Sequence, residues 1–243
     1  MKQGNVRLMQ SAHLTHQTHA FDFWLARGAI ALTAILNLFL INRLSIVPSW
    51  LASSVEIAML VPLSVATAWT HSKIQQATSD AHWSMIYRHR RIIRRGAIFL
   101  TAIVTAINFE ALFGVMQALL QGAKAPSGQS LLLDALNIWF TNVVVFALWF
   151  WNLDRGGPAM RGLVTKGKAD FQFPQMADNF VGKETWAPGF IDYLYLSFTN
   201  ATAFSPTDAL PLSIRSKLLM MVESSVSLLT VSLVTARAVN ILA

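Results

Sequence analysis

Five stretches of the chain are apolar over enough residues to cross a bilayer: about 23–42, 51–70, 97–121, 131–152 and a longer one at 214–242. The hydrocarbon core is about 30 Å thick, which takes roughly 20 mostly apolar residues of helix. Within these stretches the apolar residues run in blocks and do not alternate with polar ones. The pattern predicts an all-α membrane protein with five spans. A sixth apolar stretch, GFIDYLYLSFTNATAF at 189–204, is too short to span. It carries Asp192 near its start and runs into Ser205-Pro206, a pair that stops a helix. Its length predicts a re-entrant or interfacial segment placed before the last span.

Composition agrees. Of 243 residues, 54% are hydrophobic and only 13% charged, and the mean hydropathy is +0.46. Soluble domains carry about 25% charged residues, so an ordinary soluble domain is excluded. The absence of cysteine excludes disulfides, thiolate catalysis and Cys-ligated metal centres. The polar, histidine-rich start, MKQGNVRLMQSAHLTHQTH, lacks the apolar core of a cleavable signal peptide, so the first span is expected to be kept.

The net charge of +7 is placed unevenly. The first arm holds Lys2, Arg7 and Arg27; the 71–96 loop holds Lys73, Arg88, Arg90, Arg91, Arg94 and Arg95. The 153–188 loop holds Arg155, Arg161, Lys166, Lys168 and Lys183. If 189–213 enters and leaves by one side, Arg215 and Lys217 join them, and sixteen of the nineteen bases share a face. Only Arg43, Lys124 and Arg237 lie opposite. By the positive-inside rule the shared face is cytoplasmic, with the C-terminus outside. Membrane phosphate, not nucleic acid, is the expected partner of the charge. The run DAHWSMIYRHRRIIRRG at 80–96 predicts a basic surface helix whose arginines at 88–95 meet anionic headgroups. A voltage sensor is the alternative, but sensor arginines recur every third residue inside a span.

The expected organisation is a polar cytoplasmic arm at 1–22 and an N-terminal membrane region at 23–128, comprising three spans and the basic surface helix. A pore-like module follows at 129–243. The loop at 153–188 opens on the turn-forming LDRGGPAMRG and continues into the aromatic DFQFPQMADNF. It is expected to be ordered, packing at the membrane surface or against the re-entrant segment.

Ionisable groups inside spans cost a few kcal/mol each, roughly, on insertion scales, so each points to function. Glu56, Glu110, Asp134, Asp192, Asp208 and Glu223 fall in spans or in the re-entrant region. Asn108 lies beside Glu110, and Asn142 follows the common face of Asp134, Asn137 and Thr141. In the last span Glu223, Ser227, Thr230, Val234 and Arg237 share one face. That face suits the lining of a water-filled path, or interhelical hydrogen bonding in which hydroxyls join packed spans. Asp192 is placed to cap the short helix or to pair with Lys183 or Arg215. His13, His16 and His19 have helical spacing but no acidic partner nearby, so they are taken as part of a solvated arm. No metal ligand set follows, and no cofactor is expected. No GxSxG, HExxH, GxxxxGK[ST] or GxGxxG occurs, so the reading is not that of an enzyme.

The order of a half-length helix, an irregular polar stretch, a proline and then a full span is that of a pore loop. The chain is similar to a family of uncharacterised bacterial integral membrane proteins with LDRGGP, FPQM and DYLYLSFTNATAFSPTD stretches, over roughly 150–240. More distantly, Thr202-Ala203-Phe204-Ser205-Pro206-Thr207-Asp208, with Pro211 beyond it, resembles the potassium-channel pore pattern T-T-V-G-Y-G-D-x-x-P. Ser205 and Thr207 replace both filter glycines and Pro206 replaces the tyrosine, so potassium selectivity is not implied. Potassium-channel loops also enter from outside, whereas the charge split places this one on the cytoplasmic face. The expectation is a homo-oligomer, with a tetramer among the candidates, conducting cations with weak selectivity. Thr199, Thr202, Phe204, Ser205, Pro206, Thr207 and Asp208 would form the constriction; Glu223, Ser227, Thr230 and Arg237 would line the path. A secondary transporter and a non-transporting scaffold or accessory subunit are the alternatives.

Overall fold

A computed structural model describes residues 21–38, 50–51, 53–61, 64, 80–120, 128–158, 168–177, 186–203 and 208–242. The fold is all-α. Its helices are α1 (Phe21–Leu38), α2 (53–61), α3 (Asp80–Leu120), α4 (Gly128–Leu153), α5 (Phe190–Ala203) and α6 (Ile214–Leu242). Among the described residues, four stretches are long and apolar enough to cross a membrane: Phe21–Leu38, Arg91–Leu120, Ser130–Gly156 and Ile214–Thr235. They correspond to four of the five expected spans. The other, at 51–70, is helical over 53–61, and much of its second half lies outside the described residues.

The basic run at 80–96 is not a separate surface helix. It continues without a break into the third apolar stretch, making α3 a single helix of 41 residues, about 60 Å long. Only Gly96 stands between the basic and apolar parts. Glycine inside a helix costs about 1 kcal/mol relative to alanine and does not terminate it, so the change in polarity leaves the backbone unbroken.

Interhelical bonds give the directions. Arg94 Nε donates to the Asn152 carbonyl at 3.2 Å, Trp149 Nε1 to Thr105 Oγ1 at 2.9 Å and Asn108 Nδ2 to the Ile138 carbonyl at 3.3 Å, so α3 and α4 run antiparallel. Phe23 packs edge-on to Trp151 and Asn137 Nδ2 donates to Asn37 Oδ1 at 2.6 Å, so α1 is also antiparallel to α4. Ser53 Oγ donates to the Ala34 carbonyl at 3.2 Å and joins α2 to α1. The starts of α1 and α6, the basic turns of α3 and the finish of α4 therefore lie at one end, with Arg27, Arg94, Arg155 and Arg215.

The central helix is α4. Its Val143–Trp151 segment is almost wholly buried, with Phe146, Phe150 and Trp151 at the heart of the core beside Ile30, Tyr193 and Leu196. It ends in a turn at Asp154–Gly156, where Arg155 has φ 52° and Gly156 and Gly157 both have φ 83°. A side chain at Gly157 would meet the Asn152 carbonyl oxygen at 2.6 Å, which explains why glycine stands there. Beyond it, Phe171–Gln172 (β1) pairs antiparallel with Leu210–Pro211 (β2), with Phe171 opposite Pro211. Phe171 packs edge-on against Phe150 and Tyr193, and Phe173 edge-on against Tyr193. The aromatic part of the loop thus packs against the short helix, one of the two expected arrangements.

Candidate functional site

The short helix α5 has 14 residues and is about 21 Å long, less than the hydrocarbon thickness. Its first turn is held by acids: Gly189 N–H donates to Asp192 Oδ2 at 2.7 Å and Phe190 N–H to Asp22 Oδ1 at 3.1 Å. Asp192 therefore caps the helix, as expected. Of its two candidate partners, Arg215 is paired with Asp170 and Lys183 lies outside the described residues. One turn on, the Tyr193 hydroxyl donates to Asp154 Oδ2 at 2.5 Å, at the finish of α4. After α5 the chain is back at this same end: Leu212 N–H donates to the Asp170 carbonyl at 2.8 Å, and α6 begins two residues later. The chain thus enters and leaves the α5 segment by one end, and α5 and α6 set out from it side by side.

That end is tied by two buried acids. Asp154 accepts the backbone N–H of Asp170 at 2.6 Å as well as Tyr193. Asp170 accepts both Nε and Nη2 of Arg215, at 2.7 and 2.5 Å, while its carbonyl also receives Ser216 Oγ at 3.1 Å. The finish of α4, the loop, α5 and the start of α6 are joined in one network.

A second polar junction lies deeper, where α4, α5 and α6 meet. Glu223 is fully buried. Its Oε2 accepts Asn200 Nδ2 at 2.6 Å, and its Oε1 is hydrogen-bonded to the Ser197 hydroxyl, which also lies 2.7 Å from the Val143 carbonyl. Asn142 Nδ2 reaches the Glu223 carbonyl at 3.2 Å and Ser227 Oγ at 3.0 Å. Thr230, also buried, bonds back to the Val226 carbonyl. The face weighed as the lining of a path is therefore turned inward: Glu223 meets α4 and α5, Ser227 meets α4, and Thr230 is buried. Arg237 belongs to α6, but its side chain is outside the described ones. Outward, α6 presents Leu218, Met221, Val222, Leu228 and Leu229, and between it and α3 runs an apolar groove of about 390 Å³. Such a groove is no route for an ion.

Of the filter-like residues, Thr199 and Thr202 sit in the last turns of α5 and bond back to the Tyr195 and Phe198 carbonyls at 2.6 and 2.8 Å. Thr202 and Asp208 are exposed. Phe204, Ser205, Pro206 and Thr207 lie outside the described residues, as do His13, His16 and His19.

A third cluster joins α1, α2 and α4. Asn137 Nδ2 donates to Asn37 Oδ1, and Asn37 Nδ2 to Glu56 Oε1, both at 2.6 Å. Thr141 and Asp134 share the α4 face of Asn137, and Glu56, Asp134, Asn137 and Thr141 are all buried. Asn108 is buried between α3 and α4, and Glu110 is half-buried on α3. The sequence reading missed Asp154, Asp170, Ser197, Asn200 and Asn37. The i, i+3 spacing of Ser197 and Asn200 was the one visible signal. Comparisons with protein-family models, with curated proteins and with solved structures find no match to the chain.

Proposed function

We propose that the chain is an integral protein of a bacterial inner membrane whose copies assemble around the α5 module and conduct cations with weak selectivity. One observation carries the reading: a half-length helix, held between α4 and α6, that the chain enters and leaves by the same end. The C-terminal end of such a helix lies at depth, and its dipole places partial negative charge there that favours a cation ahead of it. The burial of Glu223, Ser227 and Thr230 refines the proposal, because it removes them as wall of a path through one copy. The lining is then assigned to groups that face outward, Thr202 and Asp208, brought together with those of neighbouring copies. The basic residues at 88–95 are assigned to anionic headgroups at the cytoplasmic surface.

Purified protein in planar bilayers tests this. Discrete cation currents whose selectivity changes in Asp208→Asn support it. Silent bilayers overturn it: coupled solute uptake into vesicles would then make the chain a transporter, and a monomer with neither behaviour a scaffold.

A further inference from the structure

The cluster between α1, α2 and α4 is left incomplete by the protein's own groups. Each amide hands its N–H onward, Asn137 to Asn37 and Asn37 to Glu56, so the hydrogen bonds run one way and the spare atoms are oxygens. Glu56 Oε2, Asn137 Oδ1 and Thr141 Oγ1 are buried and have no hydrogen-bond partner. The residues that carry them are at most 3% exposed. Burying one unsatisfied polar group costs about 1–3 kcal/mol, so three of them, on residues linked by one hydrogen-bonded chain and one face of α4, call for an occupant. Asp134 lies on the same face of α4, also buried, and none of the described hydrogen bonds or ion pairs includes it.

The kind of occupant follows from the donors. The free atoms are a carboxylate oxygen, an amide oxygen and a hydroxyl, all hard ligands, which suit an alkali or alkaline-earth cation. No three His, Asp or Glu side chains converge among the described residues, so the anionic charge needed by a divalent or transition metal is missing. No Lys or Arg is paired with Glu56 among the described ion pairs. One carboxylate among neutral oxygens balances one positive charge.

We propose that Glu56, Asn137 and Thr141 bind a small alkali-metal cation, of which sodium is the natural probe. Bound there, the cation joins α2 and α4 through atoms that no protein group satisfies, beside the Asn37 bridge from α1. The site does not depend on the pore reading, since it lies within one copy and is read out without current.

The test is the unfolding temperature of the full chain in detergent. Sodium chloride is titrated against N-methylglucamine chloride at constant ionic strength. A ligand that binds only the folded state raises this temperature in step with its concentration over Kd. The expected result is a stabilisation by sodium that the organic cation does not reproduce. In Thr141→Val and Glu56→Gln the sodium concentration needed should rise by about tenfold or more. Thr141→Val keeps the shape of the side chain, so it serves if Glu56→Gln fails to fold. Equal stabilisation by both cations, or a sodium effect unchanged in Thr141→Val, overturns the proposal and leaves the oxygens to buried water. Either result leaves the bilayer experiment on Asp208 independent.

Discussion

Asn200 on α5 donates its side-chain amide to Glu223 on α6 at 2.6 Å, and both residues are buried. The bond fixes how far the short helix reaches along the long one. Removing Asn200 leaves a buried carboxyl oxygen short of a donor; removing Glu223 takes one of two acceptors from the Asn200 amide, the Met220 carbonyl remaining, and leaves the Ser197 hydroxyl only the Val143 carbonyl. Each loss costs about 1–3 kcal/mol. Asn200→Ala and Glu223→Ala should therefore each lower the unfolding midpoint in detergent. The double variant should lose less than the two together, by about 0.5–3 kcal/mol, the coupling expected of groups in contact. Strict additivity would show that the bond does not hold α5.

Arg215 and Asp170 offer a second test. Asp170 is 3% exposed at its side chain and Arg215 53%, so one partner is buried and the other half in solvent. Breaking a fully buried pair costs roughly 3–5 kcal/mol, because an uncompensated charge is left behind. Solvent at Arg215 reduces this, and about 2 kcal/mol is expected for Arg215→Met. Arg215→Lys should fall between wild type and Arg215→Met, since an ammonium cannot reproduce the two parallel bonds. Chemical denaturation of the three proteins at one salt concentration gives the order. If Arg215→Lys matches wild type, the two-pronged geometry contributes nothing.

These residues also show what the sequence could and could not disclose. The short helix before the last long one was legible because it rests on local facts: an apolar stretch too short to span, an acid at its start and Ser205-Pro206 after it. The common face of Glu223, Ser227 and Thr230 was legible from helical spacing. What that face looks at was not, because the rotation of one helix against another is set by packing across the fold. Ser197 and Asn200, which turn the face inward, precede it by more than twenty residues. The Asp154–Tyr193 and Asp170–Arg215 contacts were hidden for the same reason: each joins residues 39 and 45 positions apart. The basic part of α3 was read as separate because its charge differs, although backbone continuity depends on helix breakers and none is present.

Two glycines should respond oppositely to alanine. Gly157 has φ 83°, and a methyl group there would lie 2.6 Å from the Asn152 carbonyl oxygen. Left-handed backbone and a clash with main chain predict a loss of about 1–3 kcal/mol for Gly157→Ala. Around Gly96 nothing lies within 4 Å of the added carbon. Inside a continuous helix, Gly96→Ala should gain about 0.5–1 kcal/mol. Thermal unfolding of the two variants beside wild type should move in opposite directions. A destabilised Gly96→Ala would argue that α3 bends there instead of running straight through.

Tyr193 and Tyr195 are two residues apart on α5 and differ in what surrounds the side chain. Tyr193 is fully buried and donates to Asp154 Oδ2 at 2.5 Å, whereas Tyr195 is 56% exposed. Among the described residues, the contact of that carboxyl oxygen with a charged group is Arg155 Nε at 3.8 Å, too long for a hydrogen bond. Tyr193→Phe should therefore leave a buried acceptor short of its donor and cost about 1–3 kcal/mol. Tyr195→Phe removes a hydroxyl at an exposed position and should stay within about 0.5 kcal/mol of wild type. The pair is a controlled comparison, since both variants delete the same atom from the same helix. Because Tyr193 joins the start of α5 to the finish of α4, its loss should also speed backbone amide exchange at the start of α5. Uniform exchange along α5 in Tyr193→Phe would mean that the aromatic packing of Phe171 and Phe173, and not the hydroxyl, holds the short helix in place.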